Sequence, residues 1–215
     1  MAEILLEGTL ETLYMTFVST FLAYLIGVPL GVLITITDEK SIMPNKIVNG
    51  TLGFIINIVR SIPFIILLIA LIPFTRMIVG KSIGSTAAIV PLVVGAAPFV
   101  ARMIESSLHE VDNTLIESAI AMGCNKKQVI FKVMIPEVIP SIVRGLSITI
   151  ITLIGYSAMA GAVGGGGLGD IAIRYGYHRY QYDTMVQTIV ILVVMVQIIQ
   201  LACNYIAKKI DKKVR

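Results

Sequence analysis

Along this chain, long apolar tracts without a single charged residue alternate with short hydrophilic ones. Thr12 to Thr37, Ser82 to Ala101, Gly145 to Gly169 and Thr184 to Ala207 carry no charge, and Ile47 to Thr75 is broken only by Arg60. Each is long enough for the ~20-residue helix that a ~30 Å hydrocarbon layer demands. The pattern predicts five helices over about 12–36, 47–73, 83–104, 142–163 and 184–207. Gly27, Pro29 and Gly31 are expected to interrupt helix one, and Pro63 and Pro73 to punctuate helix two. Such breaks survive in lipid only where neighbours or water satisfy the freed backbone groups, so these helices should pack on protein or line a cavity. Five spans do not divide into equal halves, so a pore with two-fold symmetry requires a second copy of the chain.

Composition strengthens this picture. Apolar residues make up 56% of the chain and charged ones 14%, and the mean hydropathy is +0.90, against about a quarter charged in ordinary soluble domains. A large soluble core would need polar helices to cover these tracts, and the sequence offers none. The expectation is an all-α integral membrane protein forming one transmembrane domain, 1–215, with lipid as an obligate partner. Glu3, Glu7 and Glu11 stand where a signal peptide carries basic residues, so helix one is expected to remain.

The net charge of +4 matters through its distribution. With the C-terminus in the cytoplasm and the N-terminus outside, the inner segments hold Lys40, Lys46, Arg102, Lys126, Lys127, Lys132, Arg144, Lys208, Lys209, Lys212, Lys213 and Arg215. The outer ones hold Arg76, Lys81, Arg174 and Arg179, which is the asymmetry of the positive-inside rule.

The one extended hydrophilic stretch, Glu105 to Ser141, reads as two short helices joined at a glycine. Asp112 can cap the first, Gly123 suits a left-handed position after it, and Asn125 with Gln128 forms a capping-box pattern for the second. The second is expected to stop before Pro136. Leu115, Ala119 and Met122, then Val129, Val133 and Met134, give both helices an apolar side that wants a partner. Ala119, Gly123 and Val129 also have helix-turn-helix spacing, but the helix that would read DNA is rich in Val129, Ile130, Phe131 and Val133 and offers few polar groups to base edges. No nucleic acid is expected.

Here the sequence resembles the permease subunits of ATP-binding cassette importers, whose signature is Glu-Ala-Ala, three residues, Gly, nine residues, Ile-x-Leu-Pro. This chain has Glu117, Ser118, Ala119, then Gly123, then Val133, Met134, Ile135 and Pro136 at that spacing, with Ser118, Val133 and Ile135 as departures. The resemblance implies a type I importer permease fold and coupling helices within 105–141, with Glu117, Ser118, Ala119, Gly123, Asn125, Lys126 and Pro136 meeting an ATPase subunit.

The chain is not expected to hydrolyse ATP. In TRMIVGKS the end of a phosphate-binding loop is present at Gly80, Lys81 and Ser82, but Thr75 replaces the first glycine. Gly164, Gly166 and Gly169 follow a membrane helix rather than a strand, so they are no dinucleotide fingerprint. His109 and His178 are far apart, and Cys124 and Cys203 form no ligand pattern, so no metal is expected. ATP and Mg would be used by a partner subunit, and no cofactor by this chain.

Arg60 is the one ionisable residue well inside a predicted span, and such residues are expensive in lipid unless they serve function or packing. With Ser61 and the Thr149, Thr152, Tyr156 and Met159 face of helix four, it is the expected border of a translocation path. Packing is the rival role for Arg60, and interhelical hydrogen bonding for the threonines. Gln197, Gln200 and Asn204 are read as glue between helices. Gly164, Gly165, Gly166 and Gly167 are expected to form an outer gate or loop.

Together with NIVRSIPFIILL, AAIVPLVVGAAPFVARMIE and LIGYSAMAGAVGGGGLGD, the chain is similar over nearly its whole length to permeases of methionine uptake systems. That resemblance implies a homodimer, two cytoplasmic ATPase subunits, a methionine-binding protein or lipoprotein docking from outside, and residence in the bacterial cytoplasmic membrane. The competing expectation keeps this machinery and changes the cargo to betaine, phosphonate or another small solute.

Overall fold

The computed structural model describes residues 1–39 and 41–210. Of the basic residues used above for topology, Lys40, Lys212, Lys213 and Arg215 lie outside the described residues. Among the described residues every regular element is helical. Helix α1 runs Ala2–Thr37, α2 Lys46–Ser61, α3 Phe64–Ala70, α4 Ile72–Val79 and α5 Ser85–His109. Then come α6 Asn113–Ala121, α7 Lys126–Gln128, a π-helical segment Val129–Met134, and α8 Ile135–Gly161. A short α9, Gly167–Ile171, leads through a second π segment, Ala172–Tyr177, to α10, Tyr182–Ile210. Among the described residues four helical runs are long and apolar enough to cross a membrane, and α2 with α3 passes the same test as a pair bent by 101°, a broken span or a re-entrant loop.

Helix α1 is not interrupted. It continues through Pro29 for 36 residues, roughly 54 Å at 1.5 Å per residue. Gly27 and Gly31 serve packing instead: a Cβ on Gly27 would lie 2.7 Å from the Val100 side chain and 2.8 Å from the Ala97 carbonyl, and one on Gly31 would lie 2.7 Å from Ile104. The i,i+4 glycine pair therefore lets α1 lie directly on α5, the small-residue packing that membrane helices use in place of a hydrophobic drive. Met15, Leu92, Val100, Ile104 and Leu153 fill the resulting core of α1, α5 and α8.

Helix two breaks where proline requires it. Ile62 is extended at φ −83°, ψ 124°, the geometry favoured ahead of a proline, and α3 starts after Pro63. The single span expected over 47–73 is thus two helices meeting at a sharp angle, with Pro73 inside the first turn of a third.

Pro136 does not end its helix, contrary to the sequence expectation. Lys126–Gly161 is one continuous helical run. The wider π turn ahead of the proline carries the Ile135 amide to the Ile130 carbonyl, which gives the ring space that a regular α-turn would deny it. Gln197, Gln200 and Asn204 are all exposed on α10, so among the described residues they are not buried as glue between helices.

Candidate functional site

The loop between α5 and α8 is built from local backbone chemistry. The Asp112 carboxylate accepts from the Thr114 amide at 2.8 Å and starts α6. At the other end the Gly123 amide donates to Ile120 at 2.9 Å and the Cys124 amide to Ala119 at 3.1 Å. Gly123 sits at φ +84°, so the two bonds complete a Schellman motif around a left-handed residue. Asn125 accepts from the Gln128 amide at 2.9 Å while Gln128 accepts from the Asn125 amide at 2.8 Å, the reciprocal capping box.

The side chains then divide into two sets. Ala119, Val129, Ile130 and Met134 are buried, so α6 lies on the π segment, which in turn packs on α8. Val129 and Ile130 are therefore unavailable to a DNA groove. Leu115, Ile120, Met122 and Phe131 remain exposed, Met122 at 77%. Of the apolar side expected on α6, only Ala119 turns inward, and Leu115 and Met122 are left without cover from this chain. Glu117, Ser118, Gly123, Asn125, Lys126 and Pro136 are exposed as well. The loop's backbone is capped at both turns, and it presents an apolar tip beside exposed polar groups.

Arg60 and Tyr156 come together. They line a cavity of about 160 Å³ with Phe64, Leu67, Gly95 and Phe99. The Phe64 and Tyr156 rings stack at 4.3 Å with only 2° between their planes. Gly95 leaves room for this stack, since a Cβ there would come 3.3 Å from the Phe64 ring. A larger cavity, about 370 Å³, shares Arg60 and Phe99 and continues past Ser106, Glu110, Ser141 and Arg144. It ends at the foot of α5 and α8, beside the loop that joins them.

The other residues expected on the path are not gathered here. Thr149 is buried and its hydroxyl donates to the Gly145 carbonyl at 3.0 Å. Thr152 donates to Ile148 at 2.8 Å and Ser61 to Asn57 at 2.8 Å. These hydroxyls serve their own helices, and Met159 is exposed outside the cavity. Phe64, Gly95 and Phe99 were missed because aromatic and small residues in apolar tracts look the same whether they face lipid or a cavity. Arg102 was missed as a packing residue: it pairs with Glu105 at 2.7 Å, donates to the Asn57 side chain at 2.9 Å and reaches the Gly53 carbonyl at 3.3 Å. It ties α2 to α5. Among the described residues no His, Cys, Asp and Glu group could hold a metal ion.

At the opposite end of α8 lies the glycine hairpin. Gly164, Gly166 and Gly167 have φ of +84°, +78° and +75°. Gly165 is buried and donates to Ala160 at 2.8 Å, and the Gly164 carbonyl accepts from Gly84 at 2.8 Å. Two residues of α1 that sequence reading did not single out as site residues hold the hairpin: Glu11 accepts from the Gly167 amide at 2.7 Å and Thr12 from the Leu168 amide at 2.9 Å.

Residues 27–215 match the family described as the binding-protein-dependent transport system inner membrane component. A probable D-methionine transport system permease protein of Vibrio cholerae is 49% identical over 212 residues, covering 99% of this chain and 94% of the relative. The D-methionine permease of Escherichia coli K12 is 54% identical over 161 residues, 75% of this chain and 74% of that one. A chain of the MetNI methionine ABC transporter in an inward-facing conformation superposes with a TM-score of 0.97 at 51% identity, covering 99% of this chain and 98% of that chain. An amino acid ABC transporter at 21% identity shares the fold with a TM-score of 0.80, covering 97% of this chain and 94% of that one. A helical membrane chain with a pre-capped loop between two spans, matched over most of its length, belongs to the family of inner membrane components of binding-protein-dependent transport systems.

Proposed function

We propose that this chain is the permease half-unit of an ATP-driven methionine importer, working as a homodimer with two cytoplasmic ATPase subunits. Residues 1–215 then form one transmembrane domain, with the N-terminus outside, the C-terminus in the cytoplasm and 105–141 as the coupling loop. An extracytoplasmic methionine-binding protein or lipoprotein delivers cargo to the outer face. ATP and Mg are consumed by the partner subunits.

One observation carries the coupling role. The loop satisfies its own backbone through Asp112, Gly123, Asn125 and Gln128, yet leaves Leu115, Ile120, Met122 and Phe131 uncovered. A stiff knob with an apolar tip suits a groove on another protein, as an amphipathic helix does in general. Glu117, Ser118, Asn125 and Lys126 then form the polar rim around it, and Pro136 lies exposed at the start of α8. The cargo is supported by the names of the relatives, which describe D-methionine transport over almost the whole length of this chain. Both L- and D-methionine are expected to pass.

The mechanism follows from two-state physics. ATP closes the ATPase pair, the gripped loops move, and because Lys126–Gly161 is one helical run the motion reaches the cavity wall at Tyr156. ATP binding shifts the population only by its unequal affinity for inward-open and outward-open states. Arg60 borders the passage in this reading, and the glycine hairpin closes its outer end.

The test is ATP-dependent uptake of labelled methionine by proteoliposomes holding the permease, ATPase and binding protein, with betaine and phosphonates as competitors. Uptake suppressed by excess unlabelled methionine supports the proposal. Uptake displaced by betaine or phosphonate, or accumulation by the permease alone without an ATPase, rejects it.

A further inference from the structure

Two arginines reach toward the same groove between α2 and α5, and only one of them is used by the fold. Arg102 is held by Glu105, Asn57 and Gly53. Among the described residues Arg60 makes no ion pair and no hydrogen bond, and it lies on the wall of both cavities. An arginine within a membrane-spanning segment is costly, and retained ones mark a partner or a polar path. No carboxylate lines the smaller cavity, whose other walls are Phe64, Leu67, Gly95, Phe99 and Tyr156 together with aliphatic residues of α2. The chemistry that fits is a carboxylate on Arg60 and an apolar body, with aromatic faces of Phe64, Phe99 and Tyr156 to receive an ammonium.

Accepting the importer reading above, we infer that this cavity is a binding site for a zwitterionic amino acid with an unbranched apolar side chain. The carboxylate sits on the Arg60 guanidinium, whose planar fork matches it in two hydrogen bonds. The side chain lies against the Phe64–Tyr156 stack and Phe99, and aromatic edges favour a polarizable thioether in particular. The cavity's ~160 Å³ is below the 300–1,000 Å³ of drug-sized pockets and suits one small solute. Because Arg60 and Phe99 also border the larger cavity, release leads from an apolar chamber into a polar vestibule past Ser106, Glu110 and Arg144, toward the coupling loop. Selection by this site is separate from selection by any external binding protein.

The test uses the permease–ATPase complex without binding protein, photolabelled with the diazirine analogue of methionine and mapped by mass spectrometry of the permease peptides. Adducts are expected within residues 59–67, 95–99 or at Tyr156, and excess L-methionine should abolish them. Arg60→Gln should cut this labelling about tenfold or more, the worth of a charge-assisted pair. Gly95→Leu should do the same by filling the cavity with the charge intact, which keeps the test valid if the arginine variant assembles poorly. Saturable adducts only elsewhere in the chain, no saturable adduct, or labelling unchanged in both variants would overturn the site. Wild-type uptake in parallel proteoliposomes separates the failures: ATP-driven methionine uptake with labels elsewhere removes the chamber alone, whereas absent uptake removes the importer reading.

Discussion

Gly123 in the coupling loop and Gly167 in the hairpin adopt nearly the same backbone conformation, φ +84° and +75°, in opposite surroundings. A Cβ on Gly123 would meet nothing within 4 Å. One on Gly167 would lie 2.7 Å from the Thr12 hydroxyl and 2.8 Å from the Met15 methyl. The first glycine turns the chain and leaves space at the tip for something outside this chain. The second turns the chain and is packed by α1, with Glu11 accepting from its own amide and Thr12 from the amide of Leu168. Glycine content alone therefore does not mark a mobile gate. The hairpin is closely fitted to α1, while the uncovered space lies at the coupling loop.

The largest effect expected is from Gly167→Leu. The left-handed conformation costs a branched or bulky residue about 1–2 kcal/mol, and the clash with Thr12 and Met15 adds a core-overpacking cost of about 1–3 kcal/mol. The variant should show a clear loss of thermal stability in detergent and a low yield of folded protein. Wild-type stability would mean that the hairpin is loosely held. Gly123→Leu should be milder for the fold, about 1–2 kcal/mol from backbone conformation alone, and severe for function. Insertion and yield should persist while transport and permease-stimulated ATP hydrolysis disappear. Normal transport by a well-expressed Gly123→Leu protein would erase the distinction between the two glycines.

The turns and caps of the loop between α5 and α8 were legible in the sequence because their determinants are local. Asp112, Gly123, Asn125 and Gln128 set up hydrogen bonds that span no more than five residues, so a reader of the chain sees both partners at once. The cavity was only half legible. Arg60 and Tyr156 stand out as polar residues in apolar tracts, but Phe64, Gly95 and Phe99 are chosen by the crossing of α3, α5 and α8, which no single tract reveals. The same limit explains Gly27 and Gly31, read as breaks when their partners on α5 were out of view. At Pro136 the error was of a different kind, because a proline rule for regular α-helix does not anticipate a π turn placed just ahead of it.

Glu11→Gln probes the hairpin clasp more gently. Glutamine keeps an oxygen for the Gly167 amide but gives up the charge, and charged acceptors are worth about 1.5–3 kcal/mol against about 1 for neutral ones. A loss of about 1 kcal/mol is expected, measured as a small drop in the detergent melting midpoint, with Glu11→Ala falling further. A wild-type midpoint in Glu11→Ala would show that the carboxylate is dispensable to the hairpin.

The smallest effect, and one of opposite sign, is expected at Gly50. It lies within α2, has neither a left-handed backbone nor any atom within 4 Å of a built Cβ, and is exposed. Glycine in a helix interior is less favourable than alanine by roughly 0.5–1 kcal/mol because the unfolded chain has more freedom to lose. Gly50→Ala should therefore raise the melting midpoint slightly and leave uptake unchanged. If it lowers stability or uptake instead, a second chain must cover this face in the working assembly, because the covering atoms are not supplied by the described residues of this one. The sign of so small a change thus tests which glycines serve the single chain and which are reserved for its partners.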